Sequence, residues 1–246
     1  MRNITLASAC AAALLAAAPA SAQIPGTQIT GTLGGGYTRV TDGGGADIYG
    51  VNGSFAAPIG GGFSFEGTGN YYNTSPGSLD LWGMGGNFFT ATGFGRIAAG
   101  ASHGGVNFGH ATTYGAGADW FYSDNLTLSL KGGGHYTSGG NTGGYVGGQA
   151  QWYFTPNLAL SGSVDFVGSS VGDINSQTIK GEWQFSSDLP LAVSLGYQRY
   201  ETGGVDTNSI FVGLKFYFDG APTLVGHHRT GSLGYIGQSI FQLGNH

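Results

Sequence analysis

Apolar and polar residues alternate with a period of two along most of the chain. Leu126, Leu128 and Leu130 alternate with Thr127, Ser129 and Lys131. Leu158, Leu160, Val164 and Phe166 alternate with Ala159, Ser161, Ser163 and Asp165. Ile210, Val212, Leu214, Phe216 and Phe218 do the same against Ser209, Gly213, Lys215 and Tyr217, with Phe211 as the exception. Successive side chains of a strand point to opposite faces, so this pattern predicts strands with one apolar and one polar face. Twelve segments carry it: 28–40, 46–57, 62–72, 78–90, 94–103, 110–122, 125–136, 143–154, 157–167, 175–186, 190–200 and 207–218. Glycine dilutes the first five and softens their boundaries; the last seven are clear.

The gaps between segments fall into two sets. Ser123-Asp124-Asn125, Thr155-Pro156-Asn157 and Ser187-Asp188-Leu189 are turn formers at hairpin spacing. The other set, 73–77, 104–109, 137–142, 168–174 and 201–206, is longer and polar or Gly-rich. Tight turns at one end and longer loops at the other are expected of an outer-membrane barrel. An internal repeat agrees. The stretch 118–129 aligns with 150–161, a weaker copy starts at Glu182, and tryptophan recurs at 120, 152 and 183. That unit is shorter than the ~40–45 residues of a propeller blade and fits a hairpin with its loop.

The aromatic residues sit at the tight-turn ends of the segments. Trp120, Tyr122, Trp152, Phe154, Trp183, Phe185, Phe216 and Phe218 share the apolar parity, the placement of an aromatic girdle at a membrane–water interface. The competing reading is an aromatic core layer in a secreted, soluble Gly-rich sandwich. Clustering at one strand end and an export leader favour the girdle. The expected fold is therefore an all-β, antiparallel, up-and-down transmembrane β-barrel of about twelve strands, whose closure removes aggregation-prone edges.

Composition narrows the functional classes. Of 246 residues 50 are glycine, and only 9% are charged against 13% aromatic. Interior glycine costs a helix about 1 kcal/mol relative to alanine, which argues against a helical enzyme fold. The formal net charge is −5, without a basic cluster, so nucleic acid is a poor partner. Residues 1–22 read as a signal peptide: Arg2, an apolar run from Ile4 to Pro19, then Ala20-Ser21-Ala22. The one cysteine, Cys10, lies inside this leader, so the mature chain from Gln23 is expected to hold no disulfide. Residues 23–218 form the expected barrel and 219–246 a C-terminal periplasmic tail, with folding into the barrel mouth as a minor alternative.

The Gly-rich hairpins, the unit Trp152-Tyr153-Phe154-Thr155-Pro156-Asn157-Leu158 and the ending Gly213-Leu214-Lys215-Phe216-Tyr217-Phe218 resemble porin-like outer-membrane β-barrels of alphaproteobacteria. The last motif is similar to the Gly-x-x-aromatic-x-aromatic ending read by the barrel-assembly machinery, although 28 residues follow it here. The resemblance implies an integral outer-membrane location, with outer-membrane lipid, lipopolysaccharide and the assembly machinery as partners.

Assigning the apolar faces to lipid leaves Glu66, Arg96, Asp119, Lys131, Asp165, Lys180, Glu182 and Lys215 facing the lumen, four acids and four bases that nearly alternate in sign. Buried charges need partners, and a balanced set predicts weak ion selectivity. The expected function is passive diffusion of small polar solutes, with no catalytic residue and no cofactor. A closed structural or surface-binding barrel is the alternative. A lumen with so few Arg and Lys disfavours a channel for acidic sugars. An outer-membrane lipid hydrolase is less favoured still. It needs Ser and His on one face, whereas Ser102 and His103 are consecutive and His110 has Thr112 two residues on. His103, His110 and His135 gather near one rim, but their spacing is no metal motif and their parity differs, so no metal site is assigned.

Overall fold

The computed structural model describes residues 29–237 apart from 43–44, 78, 108, 170–172 and 187. The leader and residues 238–246 lie outside this set. Twelve antiparallel strands form a closed barrel in which each strand pairs with its sequence neighbours. They are β1 (Thr30–Val40), β2 (Asp47–Gly60), β3 (Phe63–Ser75), β4 (Asp80–Thr92), β5 (Gly95–Val106), β6 (Gly109–Ser123), β7 (Leu126–Thr137), β8 (Thr142–Thr155), β9 (Leu158–Ser169), β10 (Ile174–Gln184), β11 (Leu191–Thr202) and β12 (Val205–Tyr217). β12 closes onto β1 from Thr32↔Tyr217 to Val40↔Ser209. Strands of 11–15 residues at about 3.4 Å per residue and a tilt of about 40° stand roughly 28–39 Å tall, enough to cross a bilayer core and reach both rims.

The period-two pattern becomes an inside and an outside. Leu130 and Leu195, each 62% exposed, stand on the outer face with Ile179, Ile97, Met84 and Phe88. A soluble monomer rarely exposes an apolar belt of this extent. Arg96, Lys131, Lys180, Glu66, Asp119, Asp165 and Glu182 are all buried inside. The exception in the β12 pattern has a physical reason. Phe211 points inward, against Gly196 of β11, where a Cβ would meet its ring.

Call the end where β1 begins and β12 finishes the lower end. Four of the five turns there span two residues, at 61–62, 93–94, 124–125 and 156–157, while β10–β11, expected to turn tightly at 187–189, is joined by six residues, 185–190. Register shifts at Pro58/Gly60, Phe121/Ser123 and Tyr153/Thr155 tighten three of the hairpins. The upper connections depart from expectation. β5–β6 and β11–β12 are joined by two residues each, and β7–β8 by four. The ladders run on through the Gly-, Ser- and Thr-rich stretches expected to be loops, because those residues pair by backbone without a side-chain period. The upper mouth is therefore framed by strand ends and short turns.

After β12 the chain turns back into the barrel. Gly220, at φ +76°, makes the reversal. A seven-residue helix, α1 (Leu224–Thr230), follows, with Thr223 as its N-cap accepting from the Gly226 amide at 3.2 Å. A 3-10 turn, Gly234–Gly237, continues it. For residues 219–237 this replaces the expected periplasmic tail: the segment is packed against the inner wall. Leu224 lies among Tyr153, Ala159, Ala192 and Tyr217, and Leu233, Tyr235 and Ile236 among Ala56, Phe89 and Ala98.

Candidate functional site: the plugged lumen

The wall presents three charge clusters to the lumen. Arg96 and Asp119 are register partners on β5 and β6, joined at 2.6 and 3.0 Å, and Ser129 donates to the other Asp119 oxygen at 2.7 Å. Lys131 of β7 reaches Asp165 of β9 at 3.2 Å, across β8. Gly147 lies between them in register, and a Cβ there would collide with the Asp165 carboxylate. On β10, Lys180 and Glu182 share one face and pair at 2.9 Å, while Lys215 of β12 approaches the same carboxylate at 3.8 Å across β11. Lys215 is the one predicted lumen residue that stays partly open, its side chain 26% exposed. Sequence parity placed opposite charges on neighbouring strands; two of these three clusters bridge alternate strands over small residues.

The C-terminal segment binds to these clusters, largely through its backbone. The Arg96 guanidinium donates to the carbonyls of His228 (2.8 Å), Ser232 (3.1 Å) and Gly231 (3.3 Å). Glu66, which has no basic partner at pairing distance among the described residues, accepts from the Leu233 amide at 2.9 Å. Asn87 donates to the Gly237 carbonyl at 3.2 Å. The Tyr235 hydroxyl donates to Asp165 at 2.8 Å, and Lys131 Nζ sits 4.0 Å from the centre of its ring. Arg229 donates to the Ser123 carbonyl at 2.6 Å and lies over Phe121 at the lower mouth.

His227 and His228 fix the helix. His227 Nδ1 lies 2.5 Å from Asp219, and its ring stacks on Tyr217 at 4.2 Å. His228 Nδ1 accepts from the Gln151 amide at 2.9 Å, so its other nitrogen, which meets Glu182 at 3.3 Å and Tyr217 at 3.0 Å, carries the proton. That is the neutral tautomer. Burial holds the His228 pKa below the usual imidazole value, against the pull of Glu182. The carboxylate already has Lys180 and Lys215 as counter-charges and a hydrogen bond from Tyr217, so it does not need a third cation.

The segment leaves space beside it. A cavity of about 80 Å³ lies between Ser232 and Gly234 on one side and β1, β2, β3 and β12 on the other, with Asn52, Thr68, Tyr72 and Phe211 in its wall. A second, of about 60 Å³, lies across the same residues against Arg96, Lys180, Gln149 and Gln151.

Comparison with solved structures places this architecture. The NanC porin superposes with a TM-score of 0.56 at 10% identity, over 76% of this chain and 98% of its own. The KdgM porin gives 0.56 at 9%, over 76% and 99%. An outer membrane channel from Pseudomonas putida F1 gives 0.54 at 8%, over 80% and 97%. The fold is that of the porin-like outer-membrane barrels. No family model matches the chain, and no curated relative matches it.

The outer surface of this barrel carries aromatic rings at both ends. At the lower end Trp120, Tyr122, Trp152, Phe154, Trp183, Phe185 and Phe218 are exposed and Phe216 half-buried; Trp120 packs on Tyr122 and Trp183 on Phe185. The upper ring went unread in the sequence: Tyr37, Tyr49, Tyr71, Trp82, Tyr114, Tyr136 and Tyr197. Four of its hydroxyls bond to rim side chains, Tyr37 to Asp47, Tyr49 to Asn73, Tyr71 to Asp80 and Tyr197 to Asn208. The signal was present as outward parity at the far end of each strand. His103 and His110 pair on the outer face, 5.2 Å between ring centres, while His135 is buried. Among the described residues no group of His, Cys, Asp or Glu could hold a metal. Ser102 bonds Thr113 and His103 bonds Thr112, on opposite faces of β5.

Proposed function

We propose that this chain is an outer-membrane porin, of the kind found in alphaproteobacteria, through which small polar solutes diffuse with weak ion selectivity. The observation that carries the reading is a closed twelve-stranded wall lined with hydroxyl, amide and charge-paired side chains. Eight strands are filled by their own side chains; twelve enclose more space than theirs fill. The lumen holds equal numbers of acids and bases, interspersed around the wall, so no ring of one sign selects an ion. Outer-membrane lipid and lipopolysaccharide would surround the apolar belt, and the Gly213–Phe218 motif at the end of β12 would serve the assembly machinery. The KdgM porin has been seen with oligogalacturonate. An acidic sugar is not part of this reading, because Arg96, Lys131, Lys180 and Lys215 each have a carboxylate within 4 Å.

The second reading is a closed structural or surface-binding barrel, favoured by the segment inside the lumen. One experiment separates the two. The mature chain 23–246, and the same chain lacking 221–246, are refolded and inserted in planar bilayers. A porin gives small or infrequent steps from the full chain and larger, sustained steps from the shortened one, with cation-to-anion permeability within a few-fold of unity. A shortened barrel that is folded, migrates compactly until boiled in detergent, and conducts nothing refutes the porin.

A further inference from the structure

We propose that the lower lumen is a peptide-binding site whose resident ligand is the chain's own segment 219–237, and that undocking of this ligand, with the wall left standing, opens the barrel. The second half of the statement rests on the porin reading above.

The wall reads this segment as a peptide. Arg96 grips three carbonyls, Glu66 takes an amide and Asn87 a fourth carbonyl. These contacts take main-chain groups at the end of α1 and in the turns that follow it, and Tyr235 and Leu233 add the side-chain anchors.

Three features make the ligand removable. First, the wall's ion pairs are made within the wall: Arg96 with Asp119, Lys131 with Asp165, and Lys180 with Glu182. Undocking leaves none of those carboxylates without its base, so it avoids the heavy cost of an isolated buried charge. Second, the strand ladder closes from β12 to β1 without the segment. Third, Ser232 and Gly234 stand between the two cavities, so the segment lacks the close packing of a protein interior on both flanks. Gly220 supplies a joint at the one covalent connection to the wall.

A disulfide tests the gate in the full chain, with Cys10 replaced by Ser. A Cβ on Gly117 of β6 would lie 2.9 Å from the Ile236 Cβ. A disulfide needs about 3.5–4.5 Å between these atoms, a relaxation of at least about 0.6 Å. In the Gly117→Cys/Ile236→Cys variant, oxidation is expected to lower open probability at least about tenfold, and reduction to restore it. Equal opening in both states, with the bridge verified by mass, overturns the gate. A barrel without 221–246 that conducts while the bridge has no effect sinks the gate alone; one that never conducts sinks the porin reading.

The binding site has its own test. A protease site is inserted between Gly220 and Ala221 of the full chain, and the product is cut in detergent. The released piece is expected to stay with the barrel through gel filtration, and to be lost when Leu233→Ala is also present. Loss of the piece from the otherwise unaltered chain overturns the site.

Discussion

Replacing Leu233 by Ala asks how firmly the segment is held. Leu233 is 1% exposed and packs with Ala56, Phe89 and Ala98 of the wall and with Tyr235 and Ile236. The substitution removes three carbons from a buried site, at about 0.8 kcal/mol each. The cavity penalty that raises many Leu→Ala losses to 5 kcal/mol should be small, because open space already borders Ser232 and Gly234. Docking should weaken by about 2 kcal/mol, which is roughly 30-fold in its equilibrium constant. Amide hydrogen exchange reads this directly. The Leu233 amide, bonded to Glu66, and the Gly231 amide, bonded to the His227 carbonyl, should exchange about 30-fold faster. Amides of β9 and β10 should not change. A change below about threefold, or an equal rise in the strands, would refute the reasoning, since the segment would then be either loosely seated or inseparable from the wall.

Acid should loosen the same contact. The His228 pKa is lower when docked than in water, so docking is fully stable above about pH 6.5 and weakens as the pH falls through the docked value. Once exchange is corrected for its intrinsic pH dependence, tail amides should therefore be less protected at pH 5 than at pH 7.5, and His228→Gln should flatten that difference. Asp119→Asn leaves Arg96 without its counter-charge and should cost the barrel about 3–5 kcal/mol in urea unfolding from detergent; a loss under 1 kcal/mol would mean the pair is solvated. Gly147→Ala places a Cβ on top of Asp165 Oδ1 and 2.5 Å from the Tyr235 hydroxyl, so it displaces the carboxylate that holds both Lys131 and Tyr235; it should cost about 1–3 kcal/mol, shared between that wall pair and docking, and raise open probability.

The barrel was legible because its strands repeat one physical constraint. A lipid-facing side chain must be apolar at every second position, and this alternation located twelve segments that coincide with twelve strands. Segment 143–154 matches β8 to within a residue at each end; segment 94–103 stops three short of β5, where Gly104, Gly105 and Val106 carry no period. The inward charges were legible by the same parity. Their geometry was not, since Lys131 meets Asp165 over Gly147, a contact between strands that are not neighbours in sequence or in the sheet. The docked segment was least legible. Helix α1 spans two turns, too short for a period, and its partners are wall side chains whose free hydrogen-bonding capacity appears only once the barrel is closed.

The distribution of charge decides what undocking changes. Inside the barrel and at its lower mouth, Glu66, Asp119, Asp165, Glu182 and Asp219 balance Arg96, Lys131, Lys180, Lys215 and Arg229. The chain's acid excess sits elsewhere: Asp42, Asp47, Asp80, Asp173, Glu201 and Asp206 toward the upper rim, against Arg39 and Arg199, and Asp124 and Asp188 in the lower turns. The segment carries one acid, Asp219, and one base, Arg229, so its departure leaves the wall with four of each sign. Opening should then alter how much current flows and leave nearly unchanged which ion carries it. In a tenfold salt gradient, the full chain and the chain lacking 219–246 should reverse at the same small, cation-favouring potential set by the upper rim. A reversal potential that moves by tens of millivolts on removing the segment would mean that the lumen pairs do not stay paired once it leaves. The wall would then depend on its ligand for neutrality, and the segment would be a structural strut.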